Sequence, residues 1–308
     1  MSNHQYKPKK YQWLQIAYLL VIGLSSKLCF AQQNIHLEGV LGTSLDLTIY
    51  GVDAKQRQAA FNALSKEVAR LESVLSTWQD NSSITFLNRS GKLKQAPAEL
   101  HEVIELCKQW YDNTNGIFSC RMGKLEQLWQ QAQTEQIVPD RVEMRRIARE
   151  IQKLPWSTKK QDQDVTLAEN VLLDPAGVAK GYIIDLLMLE LRAALPQATG
   201  IKLDIGGDML FWGKPENSDK WLVGLLNDDH TVMDLNDSLS ILVPAVAVAS
   251  SGHQHRYVEI ERRKFSHILQ PADGWPMDKA PYAVVVAPDA ATADAVATAL
   301  STQPAIKG

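Results

Sequence analysis

Two hydrophobic rhythms follow one another along this chain without a regular order. The stretch "IHLEGVLGTSLDLTIYG" alternates apolar and polar residues, the period of a strand, and reads as a hairpin or two strands. Directly after it, "DAKQRQAAFNALSKEVARLESVLS" places Ala60, Leu64, Val68, Leu71, Val74 and Leu75 on one face of a long helix. A loop, "TWQDNSSITFLNRSG", leads to a second helix, "PAELHEVIELCKQWYDNTNG", with Gly116 as its stop. Residues 140–163, rich in Arg, Lys, Asp and Gln, read as a solvated helix and a surface loop. "GIKLDIGGDMLFWG" and "WLVGLL" read as strands, further strands run to Tyr282–Ala287, and "DAATADAVATALS" is a last helix. Such a mixture does not wind a regular parallel βαβ sheet, so the expected class is α+β, in one domain.

Within this order, "DPAGVAKGYIID" (Asp174–Asp185) sets a lysine among small residues where an apolar run, "NVLLD", gives way to a helical pattern. "NVLLD" reads as a strand. Gly177 and Gly181 let backbone come close to a partner, and a helix start offers N–H groups to an anion. Lys180 adds a charge there. The segment is not a P-loop, because Gly181 rather than Ser or Thr follows the lysine.

The chain has 308 residues, 45% hydrophobic and 22% charged, ordinary globular composition with room for a sizeable core. The formal charge of −3 and the lack of a basic stripe interleaved with aromatics exclude a general affinity for nucleic acid. Lys7, Lys9 and Lys10 precede "WLQIAYLLVIGL" and then "KLCFA", the order of an export signal with its cut after Ala31. A retained membrane anchor is the alternative, although the apolar run is shorter than the ~20 residues of a spanning helix. Cys29 hints at a lipoprotein site, but Lys27 stands inside the would-be lipobox. Removing residues 1–31 takes away four lysines and no acid, leaving 28 basic against 35 acidic residues. Cys107 and Cys120 then remain, either as a bridge or as two buried thiols.

Several motifs carry chemistry in one reading and plain structure in another. Gly206-Gly207-Asp208 is first of all a tight turn. His253 and His255, two apart beside Arg256, share a strand face, yet no third ligand is evident, so a surface strand is the plainer reading. His267 lies between hydrophobic residues, where a satisfied core histidine is the default. In the last helix Asp294 and Thr298 are one turn apart and point the same way. A carboxylate and a hydroxyl among alanines suit a hard cation such as Mg2+, which takes few protein oxygens. The same spacing also suits an acid favouring the helix dipole with a threonine packed beyond it.

Taken together, in order from about Leu41 to Leu300, these segments resemble the ApbE family, the FAD:protein FMN transferases. The segments are "LGTSLDLTIYG", "LSTWQDNSSITFLN", "DPAGVAKGYIID", "LDIGGD", "VAVASSG", "SHILQP" and "TADAVATAL". The resemblance implies a compact α+β domain over residues 32–308 with FAD in a cleft between two parts. Leu41, Trp78, Ile117, Phe118, Ser119, Asp174, Lys180 and Ile268 would line the FAD site. Mg2+ would be held by the Gly177 carbonyl, Asp294 and Thr298, and His267, with Lys180, would serve the chemistry. The implied reaction attaches FMN to a threonine of an exported acceptor protein and releases AMP. Export to the periplasm agrees with it, and leaves room for peripheral contact with the inner membrane. An Mg2+-dependent FAD pyrophosphatase and a flavin-binding protein without the chemistry are the neighbouring readings.

The chain departs from the family at Phe118-Ser-Cys-Arg-Met-Gly123, where Phe-Asp-Pro-Thr-Val-Gly is usual, and at Ser82-Ser83 in place of Ser-Glu. It departs again at Gln270-Pro-Ala-Asp-Gly274, where Asp-Pro-Arg-Thr-Gly is usual. There Asp273 either takes over the polar role of the missing Asp or is a solvated turn residue. The sequence ends at Gly308, soon after the last helix, where the family adds a final strand.

Overall fold

A computed structural model describes residues 34–155, 158–159, 163–216, 218–224, 239–241, 245–252, 257–278 and 280–303. The leader and the His253–Arg256 cluster lie outside them. Strands β1 (Asn34–Val40) and β2 (Thr43–Tyr50) form the expected hairpin. Helix α1 (Ala54–Leu75) opens with a reciprocal cap, in which Asp53 Oδ1 accepts the Gln56 N–H at 2.7 Å and Gln56 Oε1 accepts the Asp53 N–H at 3.1 Å.

After α1 the structure departs from the loop expected in "TWQDNSSITFLNRSG". Residues Ser83–Ser90 are helix α2, begun by Ser82, whose hydroxyl accepts the Thr85 N–H at 3.1 Å. It ends at Gly91, at φ 68°. Two turns are too short to show a period, so the cap rather than the pattern marks this helix. Strand β3 (Lys92–Leu93), helix α3 (Ala98–Asn113), helix α4 (Gly123–Glu135) and helix α5 (Arg141–Lys153) follow. The charged α5 is less solvated than expected: Met144, Ala148 and Ile151 form a buried stripe against Leu125, Trp129 and Phe265. Strands β4 (Thr158–Lys159) and β5 (Asp164–Thr166) join β3 in a small antiparallel sheet.

The "NVLLD" segment is not a strand. Val171 and Leu173 are buried, but the backbone of Leu173 bonds to both groups of the Asn88 amide, each at 2.8 Å, and Asp174 N–H bonds to the Cys120 carbonyl at 2.7 Å. Its apolar run reflects burial without sheet pairing. Helix α6 (Ala176–Ala194) starts immediately after it, so Lys180 stands in the second turn and not at the very start.

The main sheet is antiparallel, in the order β1-β2-β6-β7-β10-β13. Here β6 is Gly200–Ile205, β7 is Asp208–Gly213, β10 is Ala245–Ser251 and β13 is Ala283–Ala287. Between β7 and β10 lie β8 (Trp221–Val223) and β9 (Leu239–Ile241), and between β10 and β13 the hairpin β11 (Tyr257–Ile260) and β12 (Arg263–Ser266). The period of two sorts β10 cleanly: Ala247 and Ala249 face the helices of the main core, Val246 and Val248 face Phe211 and Trp221 on the other side. Helix α7 (Ala290–Ser301) packs on β10, β13 and α6 through six buried alanines. Small side chains on both partners allow that close approach, and Gly177, Gly181, Asp294 and Thr298 sit on the resulting seam. Among the described residues no helix is long and apolar enough to cross a membrane.

Candidate functional site

Helices α6 and α7 touch backbone to backbone at Gly181, where an added Cβ would lie 2.2 Å from the Ala290 carbonyl oxygen. No other residue type fits there. The contact lets the Gly181 N–H donate to Asp294 Oδ2 at 3.1 Å. One turn further along α7, Thr298 Oγ1 lies 3.0 Å from where a Gly177 side chain would begin. A buried carboxylate and a hydroxyl of α7 therefore face Gly181 and Gly177 of α6 along the seam, as the helical spacing of Asp294 and Thr298 requires.

Lys180 reaches the same region and pairs with the Asp208 carboxylate. Asp208 is 1% exposed and also accepts the Ser250 N–H through Oδ1 at 3.3 Å. It begins β7, after a two-residue turn in which Gly206 and Gly207 take φ of +61° and +91°, conformations that glycine alone adopts at low cost. Burial pushes Asp294 up to about 7, and the negative Asp208 adds to the rise, while Lys180 and the Gly181 N–H oppose it. Such a carboxylate takes up either a proton or a cation. Among the described residues no group of three or more His, Cys, Asp or Glu could hold a metal. A set of one carboxylate, one hydroxyl and one carbonyl is of another kind, and its all-oxygen chemistry fits Mg2+.

Around this seam the structure gathers part of the expected flavin set. The Phe118 ring is buried, its edge 3.1 Å from the Gly177 Cβ position. The Ile117 carbonyl accepts the Thr302 hydroxyl at 3.3 Å, which ties this segment to the end of α7. Asp174 Oδ1 accepts the Ala176 N–H at 3.0 Å, just before α6. Ser119 is turned elsewhere: its hydroxyl donates to Gln152 Oε1 at 2.8 Å, on α5.

The remaining members stand on other elements. Leu41 sits in the β1–β2 turn at φ 50°, its N–H donating to Glu72 Oε1 at 2.6 Å. Trp78 is 77% exposed, a large flat surface in the loop after α1. His267 is exposed at the end of β12, which overturns the core-histidine default. Ile268 is buried with Met277 and Ala280. Beside it opens a cavity of about 380 Å3 lined in part by Tyr257, Lys264, Ser266, Met277 and Asp278. Asp273 spends its carboxylate on its own surroundings, with Oδ1 accepting the Trp275 N–H at 3.0 Å and Oδ2 3.9 Å from Arg141.

Three acids escaped the sequence reading. Asp208 was visible only as the last residue of a turn. Asp185 caps α7, accepting the Ala290 and Ala291 N–H groups at 2.8 and 2.9 Å. Glu126 is pushed well above the usual carboxylic range by burial and then by the charge of Asp174. Cys107 and Cys120 form a disulfide, with 5.7 Å between their Cα atoms.

An antiparallel sheet backed by helices, with an oxygen-rich seam where the backbones of its last two helices touch, defines an α+β protein. The sequence profile of the ApbE family matches residues 41–308. The chain is 25% identical over 306 residues to the FAD:protein FMN transferase of Chlamydia trachomatis, covering 93% of this chain and 90% of that protein. It is 28% identical over 140 residues to that of Chlamydia muridarum, a match spanning 44% of this chain and 40% of that protein. The crystal structure of the ApbE protein of Thermotoga maritima superposes with a TM-score of 0.74 at 24% identity, covering 87% of this chain and 86% of that one. The chain belongs to the ApbE family.

Proposed function

We propose that this chain is an Mg2+-dependent FAD:protein FMN transferase that acts on a threonine of an exported acceptor. The transferase class follows from the family, whose relatives in Chlamydia carry that name. The observation that carries the finer reading is the convergence of Asp294, Thr298 and Gly177 beside the Lys180–Asp208 pair.

The threonine oxygen bonds to the phosphorus on the FMN side of the diphosphate, the bond to the bridging oxygen breaks, AMP leaves, and the hydroxyl proton must be taken up. Asp294, Thr298 and the Gly177 carbonyl would hold Mg2+, which would supply charge neutralisation at the phosphate oxygens. Asp208 holds the Lys180 ammonium next to that set, so the cation needs no reorientation when the anion arrives. His267, exposed at the end of β12, would take up the proton of an acceptor segment arriving from solvent. Trp78 offers a flat face for stacking against a ring of the substrate. Phosphoryl-type transfer asks for little more than such positioning.

Residues 1–31 and the Cys107–Cys120 disulfide support an exported, periplasmic site of action, since such bonds persist in oxidising compartments. The test is incubation with FAD, Mg2+ and a threonine-bearing acceptor. AMP release that depends on the acceptor, with flavin fluorescence on the acceptor band, is the expected result. AMP release without acceptor assigns an FAD pyrophosphatase. Binding without AMP release assigns a flavin-binding protein.

A further inference from the structure

Gly177, Gly181 and Asp185 stand one turn apart on the face of α6 that meets α7. Their partners on α7 have the same spacing and run in the opposite direction. Thr298 Oγ1 lies 3.0 Å from the Gly177 Cβ position, Asp294 accepts the Gly181 N–H at 3.1 Å, and Asp185 Oδ1 accepts the Ala290 N–H at 2.8 Å. The last rung is a fork, because Asp185 Oδ2 accepts the Ala291 N–H at 2.9 Å. The amides at the start of α7 are thereby divided between two sources. Thr292 N–H goes to Asp289 Oδ1 at 2.7 Å and Ala293 N–H to the Asp289 carbonyl at 3.2 Å, both supplied by the helix's own cap. Ala290 and Ala291 are satisfied from across the seam.

The side chains of α7 cannot set its position along α6. Ala290, Ala291, Ala293, Ala295, Ala297 and Ala299 are buried, and methyl groups make ridges too low to interlock with a neighbouring helix. Polar bonds across the seam must do so instead. The Ala290 backbone is held twice, its carbonyl oxygen against Gly181 and its N–H on Asp185. A slide of α7 by one residue, about 1.5 Å, would break both Asp185 bonds and the Gly181–Asp294 bond. Burial pushes the Asp185 carboxyl up to about 6 and the two amide bonds oppose the rise, so at neutral pH the group is ionised and both oxygens accept.

We propose that Asp185 is a positioning residue whose carboxylate fixes the register of α7 on α6, and so sets how Asp294 and Thr298 face Gly181 and Gly177. For its ligand the proposal rests on the Mg2+ reading of this seam; the register does not depend on it. Asp185 is eight residues from Gly177, about 12 Å along the helix, so it acts through α7 and not by touching an ion.

The test uses the full chain with Asp185→Asn, which keeps one accepting oxygen of two, and Asp185→Ala, which keeps none. Asp289→Ala is the control, because it takes a cap from the same helix and leaves the seam alone. In Mg2+ titrations followed by calorimetry, affinity should be about tenfold weaker for Asp185→Asn, and weaker still for Asp185→Ala, the usual cost of losing a residue that orients ligands. Asp289→Ala should lower the melting temperature and keep Mg2+ affinity within about twofold of wild type. Equal weakening by the control overturns the proposal, since capping alone would then account for the effect. Wild-type affinity in Asp185→Asn also overturns it. Where Asp185→Ala does not fold, Asp185→Asn carries the comparison. Exchange of the Gly181 amide, followed by NMR without metal, reads the register: it should be about tenfold faster in Asp185→Asn and unchanged in Asp289→Ala. Unchanged exchange in Asp185→Asn defeats the register. A wild-type chain that binds no Mg2+, with or without FAD, defeats the metal reading and the positioning of its ligands together, and the exchange rates then decide the register alone.

Discussion

The amide of Gly181 donates to the Asp294 carboxylate at 3.1 Å, which ties the second turn of α6 to the middle of α7. That bond exists only because Gly181 has no side chain. Gly181→Ala would drive a methyl to 2.2 Å from the Ala290 oxygen and 2.7 Å from the Ala291 Cα, both backbone atoms of a packed helix. A loss of about 3 kcal/mol or more in unfolding free energy is expected, together with loss of the Mg2+ response. Urea melts with and without Mg2+ measure both, and a variant of wild-type stability would show that the helices are not in contact there.

Asp294→Asn should lower Mg2+-dependent turnover on the order of a hundredfold or more. Thr298→Ala should cost less, because water can replace a neutral ligand. Activity of the Asp294 variant within a few-fold of wild type would sink the metal assignment.

The same residue sets a pH dependence of stability. Without a cation, Asp294 is raised from 3.8 to about 7, mainly by burial, so the folded chain keeps a proton that the unfolded chain releases. Stability from this group is therefore present at low pH, falls as pH rises from about 3.8 to about 7, and is flat above. Asp185, pushed up to about 6 by burial, contributes with the same sign. Thermal melts across this range should show a shallower slope for Asp294→Asn. An unchanged slope would mean that the carboxylate is solvated.

The Cys107–Cys120 bond joins residues 13 apart in sequence. Reduction, or the paired change Cys107→Ser with Cys120→Ser, should cost about 2–4 kcal/mol by constraining the unfolded chain less. A melting temperature indifferent to reductant would show that the thiols are not joined.

Asp273→Ala should leave turnover within a few-fold and lower stability by about 0.5–1.5 kcal/mol, since the carboxylate serves the Trp275 N–H and lies near Arg141. AMP release and a melt on the same preparation separate the two effects. A clear fall in turnover at unchanged stability would restore Asp273 to the reaction, in the place of the Asp that the chain lacks at Gln270.

Much of the fold was legible in residues whose neighbours in sequence are also their neighbours in space. The β1–β2 hairpin, the apolar face of α1 and the shared face of Asp294 and Thr298 follow from periods of two and 3.6 alone. Short or irregular segments were not legible. Helix α2 has too few turns to show a period, and "NVLLD" owes its apolar residues to burial by Asn88, Cys120 and the core rather than to a neighbouring strand.

By itself, the sequence determined the class of the fold, the family, and that Asp294 and Thr298 share one face of α7, because these rest on local pattern and on motifs in order. Tertiary structure alone decided that Lys180 pairs with Asp208, 28 residues away. It likewise turned Ser119 toward Gln152 and, by burial, made Asp294 hold its proton more tightly. Charge and desolvation act through space, and no spacing along a chain records which buried groups will be brought within reach of one another.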